Sequence, residues 1–420
     1  MKWIFLVSLH TLCCSFIFAQ TPTAKDPEKM TVSGFLYDAV NGEALIGASV
    51  YVPGTTLGTT TNNFGFYSLS VPARDSVKIS YGFIGYNTVT ETFAGGGNVS
   101  RTVRLEVASL NTVQISGDTD KKVSEGSQMS SVVLDQKTIE KIPSLMGEND
   151  VIRAIQLMPG VQSSGDGGVG FYVRGGGPDQ NLILLDGVPV YNASHLFGFF
   201  SVFNTDAINR VELIKGGFPA RYGGRLSSVL DIQMKEGNMR KFAGEGSVGL
   251  LSARGMVEGP IVKDKVSFMV SGRRTYFDIF SAPILKATTG NSGGYYFYDV
   301  NAKINWKINA KHRLYLSGYM GGDKIYGGTK YTDGIYRQKD KFGLSWGNIT
   351  SSLRWNWAIS PKLFMNTMAT YTQYRYKINA DFESYENDLK TDDFSYRVGS
   401  GIHDWTGRVD FNWYPHANHK

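Results

Sequence analysis

From Tyr296 to Ile308 the even positions are Tyr296, Tyr298, Val300, Ala302, Ile304, Trp306 and Ile308. The odd positions include Asp299, Asn301, Lys303, Asn305 and Lys307. A period of two puts successive side chains on opposite faces of a strand, so one face is apolar and the other strongly polar. Trp405, Gly407, Val409, Phe411 and Trp413 repeat the pattern against Asp404, Thr406, Arg408, Asp410 and Asn412. Val266, Phe268 and Val270 do so against Lys265, Ser267 and Ser271, and Ile349, Leu353, Trp355 and Trp357 against Thr350, Ser352, Arg354 and Asn356. Soluble sheets also alternate, so the placement of the aromatics decides. Tyr298 to Trp306 and Trp405 to Trp413 each span eight positions. At ~3.3 Å per residue and a tilt of roughly 45°, that is about 19 Å of depth, close to the separation of the aromatic girdles of a membrane barrel. The pattern predicts antiparallel transmembrane β-strands over 240–420.

The connections agree. Short turns are expected at Gly259-Pro260, Asn309-Ala310-Lys311, Ser360-Pro361 and Pro415 to Asn418, and long polar loops at 276–294, 321–340 and 378–394. Alternating short and long connections are how an outer-membrane barrel is strung. Counted from Phe242, about seven strands are expected. Barrels of this kind use an even number and leave no open edge, so further strands are expected beyond residue 420.

Upstream the pattern changes twice. Residues 30–107 read as short strands broken by turns, with Val32 to Tyr37, Ala48 to Val52 and Phe66 to Leu69 as examples, and predict a small β-sandwich. Residues 108–131 are a polar linker. Residues 132–237 read as α+β: an amphipathic helix over Glu148 to Met158 stopped by Pro159-Gly160, a hairpin turning at Asp186-Gly187, an element over Ala207 to Lys215, and a strand over Ser227 to Met234. Residues 1–19 have the short apolar run of a targeting signal, with a cleavage point at Ala19-Gln20. The expected fold class is mainly β.

Composition then removes alternatives. Cys13 and Cys14 both fall in the targeting segment, which leaves no disulfide, thiolate nucleophile or thiolate metal site beyond it. A net charge of +6 without a long basic run is no nucleic-acid signal. Gly165-Asp166-Gly167-Gly168-Val169-Gly170 fits G-x-G-x-x-G but follows a helix and opens none, so it is not a dinucleotide fingerprint. Ser194, His195 and Asp186 could be assembled into a triad, yet no nucleophile elbow surrounds them. No enzyme activity, cofactor or metal is expected.

Two sets of blocks carry a resemblance. Gly42-Glu43-Ala44-Leu45-Ile46-Gly47-Ala48, Gly54-Thr55 and Thr61-Asn62-Asn63-Phe64-Gly65-Phe66-Tyr67 resemble the carboxypeptidase-regulatory-like domain, a prealbumin-like sandwich without catalytic groups; a generic adhesion sandwich is the alternative. Val151 to Val161, Phe171 to Asn181, Leu184 to Pro189, Ile208 to Gly217 and Arg221 to Leu226 resemble the plug domain of TonB-dependent receptors. The order of sandwich, plug and barrel start is that of the branch with an N-terminal extension.

The resemblance implies a transporter in the outer membrane. Its plug fills the barrel, a ligand binds above, and an inner-membrane complex pulls on a TonB box. Thr112, Val113, Gln114, Ile115 and Ser116 look like that box, which would pair with a partner's sheet edge by main-chain bonds; the alternative is a last sandwich strand. In the matching plug blocks, Arg174, Arg210, Glu212, Arg221 and Arg225 are expected to form ion pairs within the plug and to the barrel wall, with either a gating or a purely structural role. Tyr191, Asn192 and His195 are candidate ligand contacts at the plug apex. The implied partners are a TonB-type periplasmic energy-transducing protein, outer-membrane lipid, an unidentified small ligand and, as a further candidate, a surface lipoprotein. Iron chelates, vitamins, oligosaccharides and peptides all suit this architecture, so no single substrate follows. A secreted or surface β-rich adhesin without transport is the other reading.

Overall fold

The computed structural model describes residues 29–73, 75–108, 130–142, 147–165 and 168–415. The targeting segment and Thr112 to Ser116 lie outside the described residues.

The first body is a two-sheet sandwich. Lys29–Asp38 pairs with Phe66–Pro72, Val99–Ser100 and Val103–Leu105, and the facing sheet runs Gly58–Thr60, Ser49–Tyr51, Ser76–Gly82, Val89–Ala94. Met30, Val32, Leu36, Val50, Leu69, Ile79 and Tyr81 fill the space between the sheets. The Thr61 to Tyr67 block earns its composition at one turn. Asn62 Oδ1 accepts from the backbone N–H groups of Phe64 and Phe66 at 2.9 and 3.0 Å. Gly65 takes φ +74, where an added Cβ would lie 2.8 Å from the Leu36 carbonyl oxygen, so only glycine closes the turn.

The second body is α+β. Its five-stranded sheet is ordered Val188–Pro189, Asn181–Leu185, Ser228–Met234, Ile208–Ile214, Ser131–Asp135, with Asn181–Leu185 and Ser228–Met234 parallel. The hairpin turn falls at Asp186-Gly187 as expected, both with positive φ. The helix is shorter than its sequence pattern suggests, Val151–Gln156 rather than 148–158. Asp150 ends it by accepting from the backbone N–H groups of Ile152 and Arg153, a cap of about 1 kcal/mol. Glu148 is thereby left outside the helix.

The third body is a wall of eight antiparallel strands in sequence order: Ala243–Val248, Ser252–Val262, Val266–Thr275, Ser292–Lys307, His312–Asp333, Tyr336–Ser360, Leu363–Glu386 and Leu389–Trp413. The expected count of about seven is one short. Two expected loops, 321–340 and 378–394, are instead strand almost throughout, reversing only at Gly334-Ile335 and Asn387-Asp388. Strands of 22 to 25 residues rise roughly 50 to 60 Å at 45°, about twice a ~25 Å apolar band. Above the lipid neither face needs to be apolar, so the protruding halves carry loop-like composition. The third expected loop, 276–294, contains the helix Phe277–Thr289. The expected turn at Gly259-Pro260 also moves: Pro260 pairs with Ser267 inside the ladder, and the chain reverses at 263–265.

The wall is inverted relative to a soluble sheet. Asp299, Asn301, Lys303 and Asn305 are buried against the plug, Asp299 at 0% exposure, whereas Val300 is 39% and Trp306 47% exposed on the opposite face. Val409, Phe411 and Trp413 continue that exposed apolar face. A sheet with its charges inside and Trp306, Trp405 and Trp413 outside suits a lipid surround and a polar lumen. No helix among the described residues is long and apolar enough to cross a membrane.

The midplane gives a direct test. Ala302, on the outward face halfway between Tyr298 and Trp306, should tolerate leucine, whereas Ala302→Arg should cost about 2–4 kcal/mol of stability in a bilayer. Equilibrium unfolding from lipid vesicles measures it, and equal stabilities for the two variants would place this face in water.

Candidate functional site

The wall wraps one side of the plug, and their contact centres on a buried cluster of charges. Arg273 projects inward from the Val266–Thr275 strand. Its Nε and Nη2 both donate to Asp299 Oδ2, at 2.8 and 2.6 Å. Nη2 also donates to the Ser201 carbonyl of the plug at 2.7 Å, and Nη1 lies 3.5 Å from plug residue Glu148. From the plug side comes His195, in the short strand Ser194–His195. Its Nε2 is 2.8 Å from Asp299 Oδ1 and its Nδ1 2.6 Å from Asp323 Oδ2. Tyr319 donates to Asp299 at 2.9 Å, and the Leu196 backbone N–H donates to Asp323 at 3.0 Å. Phe297 lies under both cations, stacked on the imidazole at 4.2 Å and 5.1 Å from the guanidinium carbon.

Carboxylates accept only, so a histidine with a carboxylate at each ring nitrogen must donate from both and carry a charge. Burial opposes that charge, but Asp299 and Asp323 outweigh it and raise the His195 pKa to about 9. Three carboxylates, Glu148, Asp299 and Asp323, thus face two cations. Removing one member strands the others without water, at about 3–5 kcal/mol.

Further polar ties run down the seam. Lys303 pairs with Asp186 at 2.9 Å and donates to the Met234 carbonyl at 3.0 Å. Arg254 pairs with Asp206 at 3.4 Å, and Arg313 with Glu236 at 3.1 Å. Ion pairs and hydrogen bonds thus run along the seam, beside apolar contacts made by Met256, Met269 and Tyr319 of the wall with the plug core.

The expected site residues divide. His195 is 1% exposed; it anchors the plug to the wall and offers no surface to a ligand, because the two wall carboxylates draw it inward. Tyr191 bonds Asp404, and Asn192 engages Tyr374 and Asn348, so both also meet the wall. Arg210 pairs with Glu212 at 3.3 Å within the plug. Arg174 donates to Ser130, Arg221 lies over Tyr222, and Arg225 donates to the Gly224 carbonyl. Among the described residues none of these three forms an ion pair, and no hydrogen bond or ion pair joins any of the five to the wall. Reading the sequence missed Arg273, Asp299 and Asp323, although Asp299 stood on the polar face of the best-patterned strand. What it lacked was the partner, more than a hundred residues away.

A second junction joins the sandwich to both other bodies. Glu43 accepts from the Glu236 backbone N–H at 2.7 Å and from Asn209 of the plug at 3.1 Å. Phe64 and Phe66 stack on Phe364 of the wall at 5.5 and 5.2 Å, and Tyr414 closes the cluster. Burial, then the nearby Glu236 carboxylate, pushes Glu43 up to about 7.

Residues 124–229 match the family described as the TonB-dependent receptor plug domain, and residues 32–115 match the CarboxypepD_reg-like domain. The second match overlaps the expected box; among the described residues the last sandwich strand ends at Leu105. The probable TonB-dependent siderophore receptor PirA of Acinetobacter baumannii is 25% identical over 244 residues, covering 50% of this chain and 31% of that protein. The vitamin B12 transporter BtuB of Photobacterium profundum is 26% identical over 291 residues, covering 66% and 43%. The crystal structure of the Acinetobacter baumannii PirA receptor aligns over 69% of this chain and 59% of its own, at 15% identity and a TM-score of 0.37. The chain thus spans less than half the length of these curated relatives. Residues 124–229 therefore carry a TonB-dependent receptor plug domain and residues 32–115 a CarboxypepD_reg-like domain, and the relatives named here are a siderophore receptor and a vitamin transporter.

Both junctions titrate. His195 has a higher pKa in place than its free value of 6.5, so its contribution is complete below about 6.5 and lost as pH rises through about 9. Resistance of the plug to urea-induced release should fall across that window in wild type, and His195→Gln should flatten the curve. Glu43 is likewise raised, from 4.5 to about 7, so docking of the sandwich should be strongest below about 4.5 and weaken by up to tenfold per pH unit toward 7. Hydrogen exchange of the Glu236 and Met239 amides would follow it, and Glu43→Gln should remove the pH dependence.

Proposed function

We propose that this receptor imports a ligand across the outer membrane with energy transmitted from the inner membrane. The plug–wall seam is the observation that carries the reading. A plug seated on a dry apolar core would have no displaced state of comparable energy. One seated on Arg273, Asp299, Asp323 and His195 exchanges ion pairs for water when it moves, and re-forms them afterwards. Above the seam the plug displays Phe197, 69% exposed and 5.0 Å from the Trp346 ring, with Phe199 beside it. This aromatic apex is where an incoming ligand first meets the plug. The relatives are named for siderophores and vitamin B12, bulky ligands that such a surface suits.

Energy enters at Thr112 to Ser116, which pairs as an added strand with the sheet edge of a TonB-type periplasmic protein. Arg210 and Glu212, on the central plug strand Ile208–Ile214, belong to the element that a pull would reach early, since its neighbour Ser131–Asp135 is the first plug strand after the linker.

Deleting Thr112 to Ser116 should abolish capture of the purified periplasmic domain of the energy-transducing protein by the detergent-solubilised receptor. Thermal stability of the wall should stay unchanged. Undiminished capture would move the box elsewhere in the linker; a destabilised sandwich would make the segment its last strand.

A further inference from the structure

Two arginines of the wall are shared by the plug and the sandwich. Arg313 is buried on the lumen face of the His312–Asp333 strand, in the same row as Tyr315, Ser317 and Tyr319. It pairs with Glu236, two residues past the last plug strand, at 3.1 Å, and its Nε donates to Asn305 of the wall at 2.7 Å. The face of the same guanidinium lies 5.1 Å from the ring of Tyr37 in the sandwich. Arg354, on the neighbouring strand Tyr336–Ser360, repeats the arrangement. Its Nη2 donates to the Asp186 carbonyl at the plug hairpin at 2.8 Å, while its guanidinium carbon lies 5.4 Å from the ring of Phe64 in the sandwich.

Glu236 meets all three bodies at one point. Its carboxylate accepts from Asn305 at 3.2 Å, and its carbonyl accepts from Ser267 of the wall at 2.9 Å. Its backbone N–H donates to Glu43 of the sandwich at 2.7 Å, and Glu43 in turn accepts from Asn209 on the central plug strand. Tyr37 and Arg313 are each 6% exposed, so the docked sandwich keeps water from the Arg313–Glu236 pair. A shielded pair is stronger than a wet one, because the dielectric around it is low. A ring on the guanidinium face provides that shielding without competing for its N–H groups, and adds an attraction of its own. Undocking the sandwich admits water to Arg313, Arg354 and Glu236 together. By linkage, a displaced plug weakens the seat of the sandwich by the same factor.

We propose that the sandwich is a latch on the plug: docked, it tightens the plug's seat through Arg313, Arg354 and Glu236, and its undocking is the first step of plug release. The proposal rests on the import reading, in which the plug moves. The box assigned there lies between sandwich and plug in the chain, so a pull on it loads both bodies. The contrasting arrangement is a sandwich that is a mere tether, fastened independently of the plug.

Phe364 allows the sandwich to be loosened without touching the plug. Its ring packs on Phe35, Phe64 and Phe66 of the sandwich, in a cluster that contains no plug residue. A second variant fixes the sandwich in place. A Cβ added at Gly42 lies 3.3 Å from the Met239 Cβ, close to the ~3.8 Å of a disulfide, and the Met239 carbonyl accepts from the Asp264 amide at a turn of the wall. Cys13 and Cys14, the two native cysteines, precede the sandwich in the segment expected to be removed. Gly42→Cys with Met239→Cys therefore gives one bridge that a reductant opens, with the reduced chain as its baseline.

The measurement is amide hydrogen exchange in the complete receptor in detergent, without ligand or partner, with the wall strand Ser292–Lys307 as internal reference. Phe364→Ala should speed exchange in the plug strands Ile208–Ile214 and Ser228–Met234 by about fivefold or more, from the lower end of allosteric coupling upward. Closing the bridge in the Phe364→Ala chain should return the plug to the wild-type rate, and reductant should release it again. A plug that keeps the wild-type rate while Lys29–Asp38 of the sandwich speeds up would overturn the latch and leave a tether. So would a plug that stays fast with the bridge closed. The resting receptor is measured, so the result is separable from import: an uncoupled sandwich leaves capture of the energy-transducing protein intact, and failed capture leaves the exchange rates as they are.

Discussion

Everything in this chain depends on where the wall keeps its charges. A strand that crosses lipid must satisfy its backbone within the sheet and present apolar side chains outward. Its other face is then free to be polar, and here that face carries Arg273, Asp299, Lys303, Asn305 and Asp323. Such a surface leaves only a few lumen-facing positions, Met256 and Met269 among them, to apolar packing. Whatever fills the lumen has to meet it with complementary charge.

The plug does so at a few positions. His195 and Glu148 reach the wall at opposite ends of the Arg273–Asp299 pair, and Asp186 meets Lys303 lower down. Between these ties lies an apolar core built mainly on the plug's Val151, Ile152, Ile155, Val211, Leu230 and Ile232, which Met256, Met269 and Tyr319 of the wall join. Two cohesions of different chemistry therefore coexist. The plug is bound internally by burial of apolar surface, whose strength is insensitive to charge, and externally by ion pairs that water can replace. That difference allows one body to move against the other without unfolding.

The sandwich adds a third connection, from below. Glu43 sits where sandwich, plug and the start of the wall converge, and the Phe64, Phe66, Phe364 and Tyr414 cluster ties the same domain to the wall. The carboxylate depends on protonation and the aromatic cluster does not. The domain is thus attached by one contact that responds to the periplasm and one that holds regardless.

How much of this was legible in the sequence depends on the range of the interaction. The strands were readable because Val300, Ile304 and Trp306 alternate with Asn301, Lys303 and Asn305 within a dozen residues. The turn at Gly65 and the hairpin at Asp186-Gly187 were readable because a positive φ selects residue types locally. The plug and sandwich were readable from whole blocks. Strand ends were not, because the halves of the long strands above the lipid face water on both sides and lose their alternation, so two hairpins looked like loops. The burial of His195 was not readable either, because it stands in a polar, loop-like stretch and gives no local sign of it. Only the tertiary structure brings it between Asp299 and Asp323, 104 and 128 positions away. Side-chain alternation and turn chemistry are properties of neighbours along the chain, and the sequence determined them. Which charges neutralise each other is a property of the closed space between plug and wall, and only the fold decided it.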